Sequence, residues 1–104
     1  MGLSGDLERE VRPFEVKTSR RDSRWFVAVR GEIDLATVGR LEAELNKLAS
    51  PIVLDLGEVT FIDSMGLTLL LRATRDGLVI GRITPAVARV IAQSGLEDEL
   101  LRAA

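Results

Sequence analysis

The 104-residue sequence contains no cysteine and no histidine. Without cysteine, the chain can form no disulfide bond, no thiolate nucleophile and no cysteine-ligated metal site. Without histidine, it lacks the usual general base, the Ser-His-Asp triad and most sets of zinc ligands. The chain is therefore not expected to be an enzyme of any of these types.

Long apolar runs and basic clusters are also missing. No apolar run reaches the roughly 20 residues that a helix needs to cross a bilayer, so no membrane insertion is expected. The formal net charge is −2, which gives no basic face for direct binding to nucleic acid. The first residues mix acids with bases and lack the apolar stretch of a signal peptide. These features together predict a cytoplasmic protein.

The length and composition are those of one globular domain. Apolar residues make up 46% of the chain and charged residues 29%, which is typical of soluble domains. Residues 1–12 are polar and contain glycine, and they predict a flexible N-terminal arm. The folded domain is then expected to span residues 13–104.

A hairpin and a helix are predicted after this arm. Residues 14–18 alternate apolar and polar side chains, and residues 25–30 are rich in aromatic and β-branched ones, so both predict strands. Residues 20–23 are typical of a turn, which makes the two strands an antiparallel hairpin. Asp34 is placed to cap a helix with an apolar stripe, which is expected to end before Pro51.

The rest of the chain alternates strands with helices. Residues 52–56 are almost all apolar, as in a central strand covered on both faces, and residues 57–60 are predicted to turn. A helix after Ser64, a strand over residues 78–83 and two helices after Thr84 follow. Strand–helix–strand units favour parallel pairing. The predicted fold class is therefore α/β, with a mixed, mainly parallel β-sheet, an N-terminal antiparallel hairpin and about four helices.

Polar residues cluster where two predicted strands end. Asp34 follows the second strand, and the segment 63–66 follows the third. If these strands are parallel, both loops lie at the same edge of the sheet, where sites of α/β proteins gather. Asp34, Asp63 and Ser64 are then expected to share one surface.

Ser64 has two interpretations, and both can hold. Serine is a preferred helix cap, so Ser64 can be purely structural. Alternatively it accepts a phosphate, because a helix N-terminus offers free N–H groups and a partial positive charge that tolerate an anion. Catalysis by Ser64 itself is not expected, since no motif supplies a base for a serine nucleophile.

No cofactor and no metal are expected. Asp34, Asp55 and Asp63 could in principle hold Mg²⁺, but Asp55 is predicted to lie in the middle of a strand. The sequence contains neither of the glycine-rich phosphate-binding patterns, G-x-G-x-x-G or G-x-x-x-x-G-K.

Three segments carry a resemblance to a known family. They are VRGEIDLAT (29–37), IVLDLGEVTFIDSMGL (52–67) and TPAVARVIAQSGLEDEL (84–100). In this order and spacing they resemble the STAS domain, and more narrowly a bacterial anti-sigma factor antagonist. The resemblance covers roughly residues 14–102 and implies a STAS-type single domain.

The resemblance implies a regulatory binding protein and not an enzyme. In that family the unmodified antagonist binds an anti-sigma factor, which is also a serine kinase, and so frees a sigma factor for transcription. The kinase phosphorylates the serine after the motif aspartate, binding is lost, and a phosphatase reverses the change. The matching phosphorylation site here is Ser64, with Asp63 as the motif aspartate, Asp34 on the bordering loop and Gly66 as the helix-entry glycine.

The residues after Ser64 are the expected partner contacts. The family often has Ser or Thr directly after the acceptor, whereas this chain has Met65, which removes a second hydroxyl. Met65 is expected to supply a soft apolar contact to a partner. Leu67 and Thr68 are expected to join it, together with Asp34, Asp63 and Gly66.

Other functions fit the sequence as well. One alternative is a STAS subunit of a larger assembly, such as a lipid transport or stress-signalling complex, with Ser64 as a helix cap. Another is a receiver-like domain with Asp55 as a phosphate acceptor, although the acidic pair expected after a first parallel strand is missing. A site for a nucleotide or other small ligand also stays open.

Overall fold

The computed structural model describes residues 13–101. The strands are β1 (Glu15–Arg21), β2 (Arg24–Ile33), β3 (Ile52–Ile62) and β4 (Val79–Ile83). The helices are α1 (Val38–Asn46), α2 (Ser64–Arg75), α3 (Pro85–Gln93) and α4 (Glu97–Leu101). The predicted arm of residues 1–12 lies outside the described residues.

The four strands form one mixed sheet in the order β1-β2-β3-β4. β1 and β2 are antiparallel, whereas β2–β3 and β3–β4 are parallel. A two-residue turn, Asp22–Ser23, joins the hairpin, and both residues have positive φ angles of 50° and 70°. Such turns match the right-handed twist of the flanking strands. The predicted α/β fold, with its hairpin and mainly parallel sheet, is confirmed.

β3 is one continuous strand, so the predicted turn over residues 57–60 is wrong. The pairing with β2 skips one residue of β3 between Asp55 and Glu58, and a second between Val59 and Phe61. Each extra residue is a β-bulge, which a strand can absorb without leaving the sheet. The polar residues that predicted a turn therefore lie inside β3.

The two bulges change which side chains of β3 enter the core. Leu54 is buried before the first bulge and Leu56 within it, Val59 is buried between the two bulges, and Ile62 is buried after the second. Side chains of a regular strand alternate between faces with a period of two. The second bulge breaks this alternation, and Phe61, two residues after buried Val59, is 45% exposed as a result.

The core lies between one face of the sheet and the helices. The buried strand side chains of β2 and β3 form one cluster with Leu41 and Leu45 of α1, Leu70 of α2 and Ile91 of α3. On the opposite face, Ala28, Gly81 and Arg82 are exposed, and none of the helices in residues 13–101 covers them. Within the described residues, helices thus cover β3 on one face, whereas the apolar run of residues 52–56 predicts cover on both.

Helix α1 begins later and ends earlier than predicted. Its N-cap is Thr37, not Asp34, because residues 34–37 form a turn before the helix. At the other end, Lys47 and Leu48 donate hydrogen bonds to the carbonyls of Glu44 and Leu45. These i to i+3 bonds tighten the last turn and end the helix, well before Pro51.

On the uncovered face, Asp55 forms an ion pair with Arg82. Asp55 Oδ2 lies 2.7 Å from Arg82 Nη2, and Oδ1 accepts hydrogen bonds from Arg82 Nε at 3.2 Å and from the Gly57 N–H at 2.9 Å. The Arg82 hydrogen bonds lower the pKa of Asp55 below its ordinary value of 3.8, and partial burial offsets only part of that effect.

Stability should therefore depend on pH through Asp55. Since its pKa is lower in the folded chain than in the unfolded chain, its contribution is present above about pH 4 and is lost as the pH falls through the folded pKa. We expect the destabilisation caused by Asp55→Asn, measured by urea unfolding, to be largest near neutral pH and to shrink in acid. In an Arg82→Gln background, Asp55→Asn should show little of this pH dependence. An equal effect of Asp55→Asn at all pH values would contradict the assignment.

Candidate functional site

The carboxylate of Asp63 caps helix α2. Asp63 has an extended backbone, and its Oδ1 accepts hydrogen bonds from the N–H groups of Met65 at 2.9 Å and Gly66 at 3.0 Å. A helix leaves its first N–H groups without partners in the helix, and an aspartate before it supplies them. Asp63 thus fixes the point at which the chain leaves β3 and enters α2.

Asp63 also joins the two loops at this edge of the sheet. Its Oδ2 accepts a hydrogen bond from the Leu35 N–H at 3.2 Å, and its own N–H donates to the Ile33 carbonyl at 3.1 Å. The loop after β2 and the turn after β3 are therefore held together. The expectation that both loops lie at the same edge, because the strands are parallel, agrees with these contacts.

Ser64 is the first residue of α2 and is exposed. Its hydroxyl makes no hydrogen bond to any of residues 13–101, while its backbone carbonyl accepts one from the Thr68 hydroxyl at 2.9 Å. The capping role belongs to Asp63, so the interpretation of Ser64 as the helix cap is wrong. The hydroxyl of Ser64 points to no structural partner in this part of the chain.

Asp34 shapes the neighbouring loop instead of capping α1. Its Oδ1 accepts the Ala36 N–H at 2.9 Å, which closes a short turn of the Asx type. The Thr37 hydroxyl accepts the Asp34 N–H at 2.9 Å and donates to the Glu32 carbonyl at 2.7 Å. These bonds hold Asp34, which is half-buried, beside Leu35 and thus next to the Asp63 turn.

Three large apolar side chains are exposed around this turn. Leu35 is 74% exposed, Met65 46% and Phe61 45%. Met65 was expected here from the sequence, but Leu35 and Phe61 were not. Leu35 directly follows Asp34, in the segment that the sequence predicts to begin a helix. Exposed apolar side chains that gather at one edge are typical of a protein-binding surface.

The other expected contact residues divide between surface and core. Thr68 is exposed, one helical turn after Ser64. Leu67 is only 7% exposed and belongs to the core cluster, so its side chain does not reach the surface. Gly66 is buried as well. We define the Ser64 surface as Asp34, Leu35, Phe61, Asp63, Ser64, Met65 and Thr68.

Gly66 allows α2 to start close to the sheet. A methyl group on its Cα would lie 2.6 Å from Ile62 Cγ1 and 2.8 Å from Ile33 Cγ2. Both distances are shorter than carbon atoms tolerate, and both isoleucines are fully buried at the ends of β3 and β2. Glycine at this position therefore sets how closely the Ser64 turn packs against the strand ends.

The carboxylates that could have held a metal do not converge. Asp55 lies in the middle of β3 on the uncovered face and is engaged by Arg82 and Gly57. Within residues 13–101 no group of three or more acidic side chains is arranged to hold an ion. The same position argues against Asp55 as a receiver-like phosphate acceptor. No helix in this stretch is long and apolar enough to span a membrane.

Known proteins resemble this chain in sequence and in structure. A family model described as Mlab, STAS domain, matches residues 16–102. The crystal structure of an anti-sigma factor antagonist from Mycobacterium paratuberculosis is 30% identical with a TM-score of 0.74, and the alignment covers 88% of this chain and 87% of that one. None of the curated protein sequences matches the chain.

Two further solved structures share the fold. The anti-sigma factor antagonist SpoIIAA, in its unphosphorylated form, is 21% identical with a TM-score of 0.66, over 88% of this chain and 89% of that one. An antisigma-factor antagonist STAS domain from Rhodobacter sphaeroides is 20% identical with a TM-score of 0.52, over 71% and 89%. At these identities the likeness concerns the fold alone.

The close packing at Gly66 predicts a specific loss of stability. Gly66→Ala should reduce the free energy of unfolding by about 1–3 kcal/mol, because the added methyl group overpacks the strand ends. A methyl group on Gly39, in α1, would meet no atom within 4 Å, so Gly39→Ala should stabilise the helix by about 0.5–1 kcal/mol. Urea unfolding measures both, and equal effects of the two substitutions would contradict the packing at Gly66.

Proposed function

The chain belongs to the STAS domain family, and from that membership we propose that it is an anti-sigma factor antagonist. In its unmodified form it binds an anti-sigma factor that is also a serine kinase, and so frees a sigma factor for transcription. Phosphorylation of Ser64 by that kinase ends the binding, and a phosphatase restores it. The protein acts by binding alone, with no catalysis and no direct contact to nucleic acid. Since its partner controls transcription, the proposal places it in the cytoplasm.

The observation that carries this proposal is the state of Ser64. Its side chain is exposed and has no hydrogen-bond partner in residues 13–101, because Asp63 supplies the helix cap. A hydroxyl that no hydrogen bond within the described fold holds in place is free to enter a kinase active site. A phosphate there removes no hydrogen bond on which the described fold depends. The modified domain should therefore stay folded.

The Ser64 surface has the composition of a protein-binding site. Leu35, Phe61 and Met65 offer exposed apolar area close to the acceptor, and Asp34 and Thr68 add polar groups. Interfaces commonly combine apolar anchors with a polar surround, and a few anchors contribute most of the binding energy. We assign Leu35 and Met65 to the anchors. Leu35 donates the hydrogen bond that joins the two loops at Asp63, and Met65 follows Asp63 by two residues.

The local charges explain how a phosphate on Ser64 would end binding. It adds about 1.5 to 2 negative charges beside the carboxylates of Asp34 and Asp63. The N–H groups of Met65 and Gly66 already donate to Asp63, so they are not free to neutralise a phosphate. The added charge thus stays on the surface that the partner must cover. Burying it there carries a desolvation penalty, and about 3 kcal/mol of lost binding lowers affinity more than a hundredfold.

A STAS subunit of a larger assembly is the second candidate. The matching family model carries the name Mlab in its description, and an apolar patch would also suit a permanent partner. In that case Ser64 stays unmodified, although it is not the helix cap. The same surface then binds a stable subunit instead of a kinase.

The phosphorylation proposal can be tested by mass spectrometry. After incubation with candidate anti-sigma kinases and ATP, we expect the intact chain to gain one phosphate, and peptide mapping to place it on Ser64. Ser64→Ala should gain none, whereas Ser94→Ala, which removes an exposed serine at the end of α3, should still be modified. The phosphorylated chain should bind the kinase at least about a hundredfold more weakly. Modification elsewhere, or none by any candidate kinase together with a stable multi-subunit assembly, would favour the second candidate.

The proposed anchors make a separate prediction about binding. Leu35→Ala and Met65→Ala should each weaken binding of the unmodified chain to the anti-sigma factor by about 1–2 kcal/mol, since each removes exposed apolar area at the centre of the interface. Leu101→Ala is the matched control, because Leu101 is 37% exposed but lies in α4. Calorimetric titration gives the affinities. Equal losses for all three variants would show that the Ser64 surface is not the interface.

A further inference from the structure

Strand β1 forms one edge of the sheet, and its outer side is open in the part of the chain that the structure describes. Within residues 13–101, β1 pairs with β2 on one side, and no strand pairs with it on the other. Its residues 17–21 are exposed. An edge strand of this kind presents a row of backbone N–H and C=O groups to which another strand can pair. The outer edge of β1 is therefore a surface on which a further strand can dock.

The pairing of the hairpin shows which residues of β1 present their backbone groups at this edge. The Trp25 N–H donates to the Pro51 carbonyl at 3.0 Å, on the β3 side of β2. The next residue, Phe26, therefore directs its backbone groups to β1, where it pairs with Ser19. Backbone groups of an antiparallel strand alternate between its two sides. The residues of β1 whose backbone groups face outwards are thus Val16, Thr18 and Arg20.

The side chains of β1 are complementary to those of a second copy that runs antiparallel to it. In the register centred on Thr18, Glu15 of each copy lies opposite Arg21 of the other, and Lys17 lies opposite Ser19. All seven residues of β1 then overlap. Opposite charges that face each other across antiparallel strands stabilise the pair, whereas like charges destabilise it. The edge of β1 is therefore self-complementary in charge.

The neighbouring registers lack this complementarity. A centre on Lys17 places the two Lys17 side chains opposite each other, and a centre on Ser19 places Lys17 opposite Arg21. The centre on Thr18 avoids both contacts. It also brings the outward-facing backbone groups together, because the residue pairs 16–20, 18–18 and 20–16 can each exchange two hydrogen bonds. Side-chain charge and backbone direction thus select the same register.

Both charged groups of this register are accessible to a second copy. The guanidinium of Arg21 lies 4.8 Å from the centroid of the Phe26 ring and forms no salt bridge within residues 13–101. Stacking on a ring uses the flat face of a guanidinium and leaves its N–H groups able to donate. Glu15 contacts Arg30 through Oε1 at 3.1 Å, so its second oxygen can accept a hydrogen bond from Arg21 of the other copy.

We infer that β1 is the contact surface for a second copy of this chain, with the two β1 strands antiparallel about a two-fold axis at Thr18. The two four-stranded sheets join into one continuous sheet. A two-fold contact of this kind uses the same surface on both copies and therefore stops at a dimer. No residue of the Ser64 surface lies in β1. This inference does not rest on the proposed function.

The dimer is weak and reversible. Each copy contributes the seven residues of β1, whereas a standard protein interface uses roughly 20–30 residues on each side. Backbone hydrogen bonds supply most of the contact, as in other complexes that add a strand to the edge of a sheet. Its formation therefore depends on protein concentration.

Sedimentation equilibrium of the full chain tests the dimer. The apparent mass should rise from 11.4 kDa towards twice that value as the concentration approaches the millimolar range. Thr18→Pro removes an outward N–H, and an edge strand tolerates proline where the N–H faces solvent. Because two hydrogen bonds are lost at the two-fold axis, Thr18→Pro should weaken the dimer at least about tenfold. A chain that stays monomeric over the whole range would overturn the inference.

A charge reversal tests the paired side chains. Arg21→Glu places a second carboxylate opposite Glu15 and should weaken the dimer at least about fivefold. Within the hairpin the new carboxylate faces Arg24, so the substitution does not oppose folding of the single chain. The matched control is Arg89→Glu, which changes the net charge equally on an exposed residue of α3 and should leave the dimer unchanged. Equal losses for the two variants, or a dimer that survives both Arg21→Glu and Thr18→Pro, would contradict contact through β1.

Single cysteines report the register, because the sequence contains none. Residues of a hydrogen-bonded antiparallel pair have Cα atoms about 5.5 Å apart, which a disulfide can bridge. Mild oxidation of Thr18→Cys should therefore give a covalent dimer. In Ser19→Cys, which is equally exposed, the two Cα atoms lie about 8 Å apart in this register, and little covalent dimer is expected. Equal yields, or a higher yield from Ser19→Cys, would contradict the register.

Discussion

The carboxylate of Asp63 is the contact on which the candidate site depends. With two oxygens it accepts the N–H groups of Met65, Gly66 and Leu35, and so serves a helix start and a neighbouring loop at once. Because Asp63 takes over the capping, Ser64 is left exposed with its hydroxyl unused by the described fold. Asp63 therefore holds the turn in place, and Ser64 stays available for the proposed regulation.

Much of this arrangement follows from the sequence. The hairpin, the parallel pairing and the meeting of the Asp34 and Asp63 loops were predicted, because alternation, turn residues and strand–helix order are local signals. The cap was assigned to the wrong residue at two helices, because the N-cap is Thr37 and not Asp34 at α1, and Asp63 and not Ser64 at α2. Ser, Thr and Asp are about equally suited to capping, so residue type alone does not choose between neighbours.

The features that the sequence did not reveal depend on contacts between distant segments. The bulges in β3 are defined by its pairing with β2, which the residues of β3 alone do not show. The polar residues among 57–60 therefore predicted a turn. Leu35 lies in a loop that the hydrogen bond from its N–H to Asp63 Oδ2 joins to the turn after β3. The uncovered face of the sheet could not be foreseen either, because Val53 belongs to an apolar run that suits a strand covered on both sides. Tertiary pairing decides each of these cases.

The second bulge of β3 has a consequence for how such a domain can diversify. Phe61 reaches the solvent because one additional residue resets the inside–outside order of the strand after Val59. Insertion or removal of a single residue after Val59 would turn the ring of Phe61 from the solvent towards the interior. The hydrogen bonds of β3 before Val59 would stay in place. Recognition in a family built on this scaffold can thus be retuned by a change of strand length, without any substitution among the residues that form the interior.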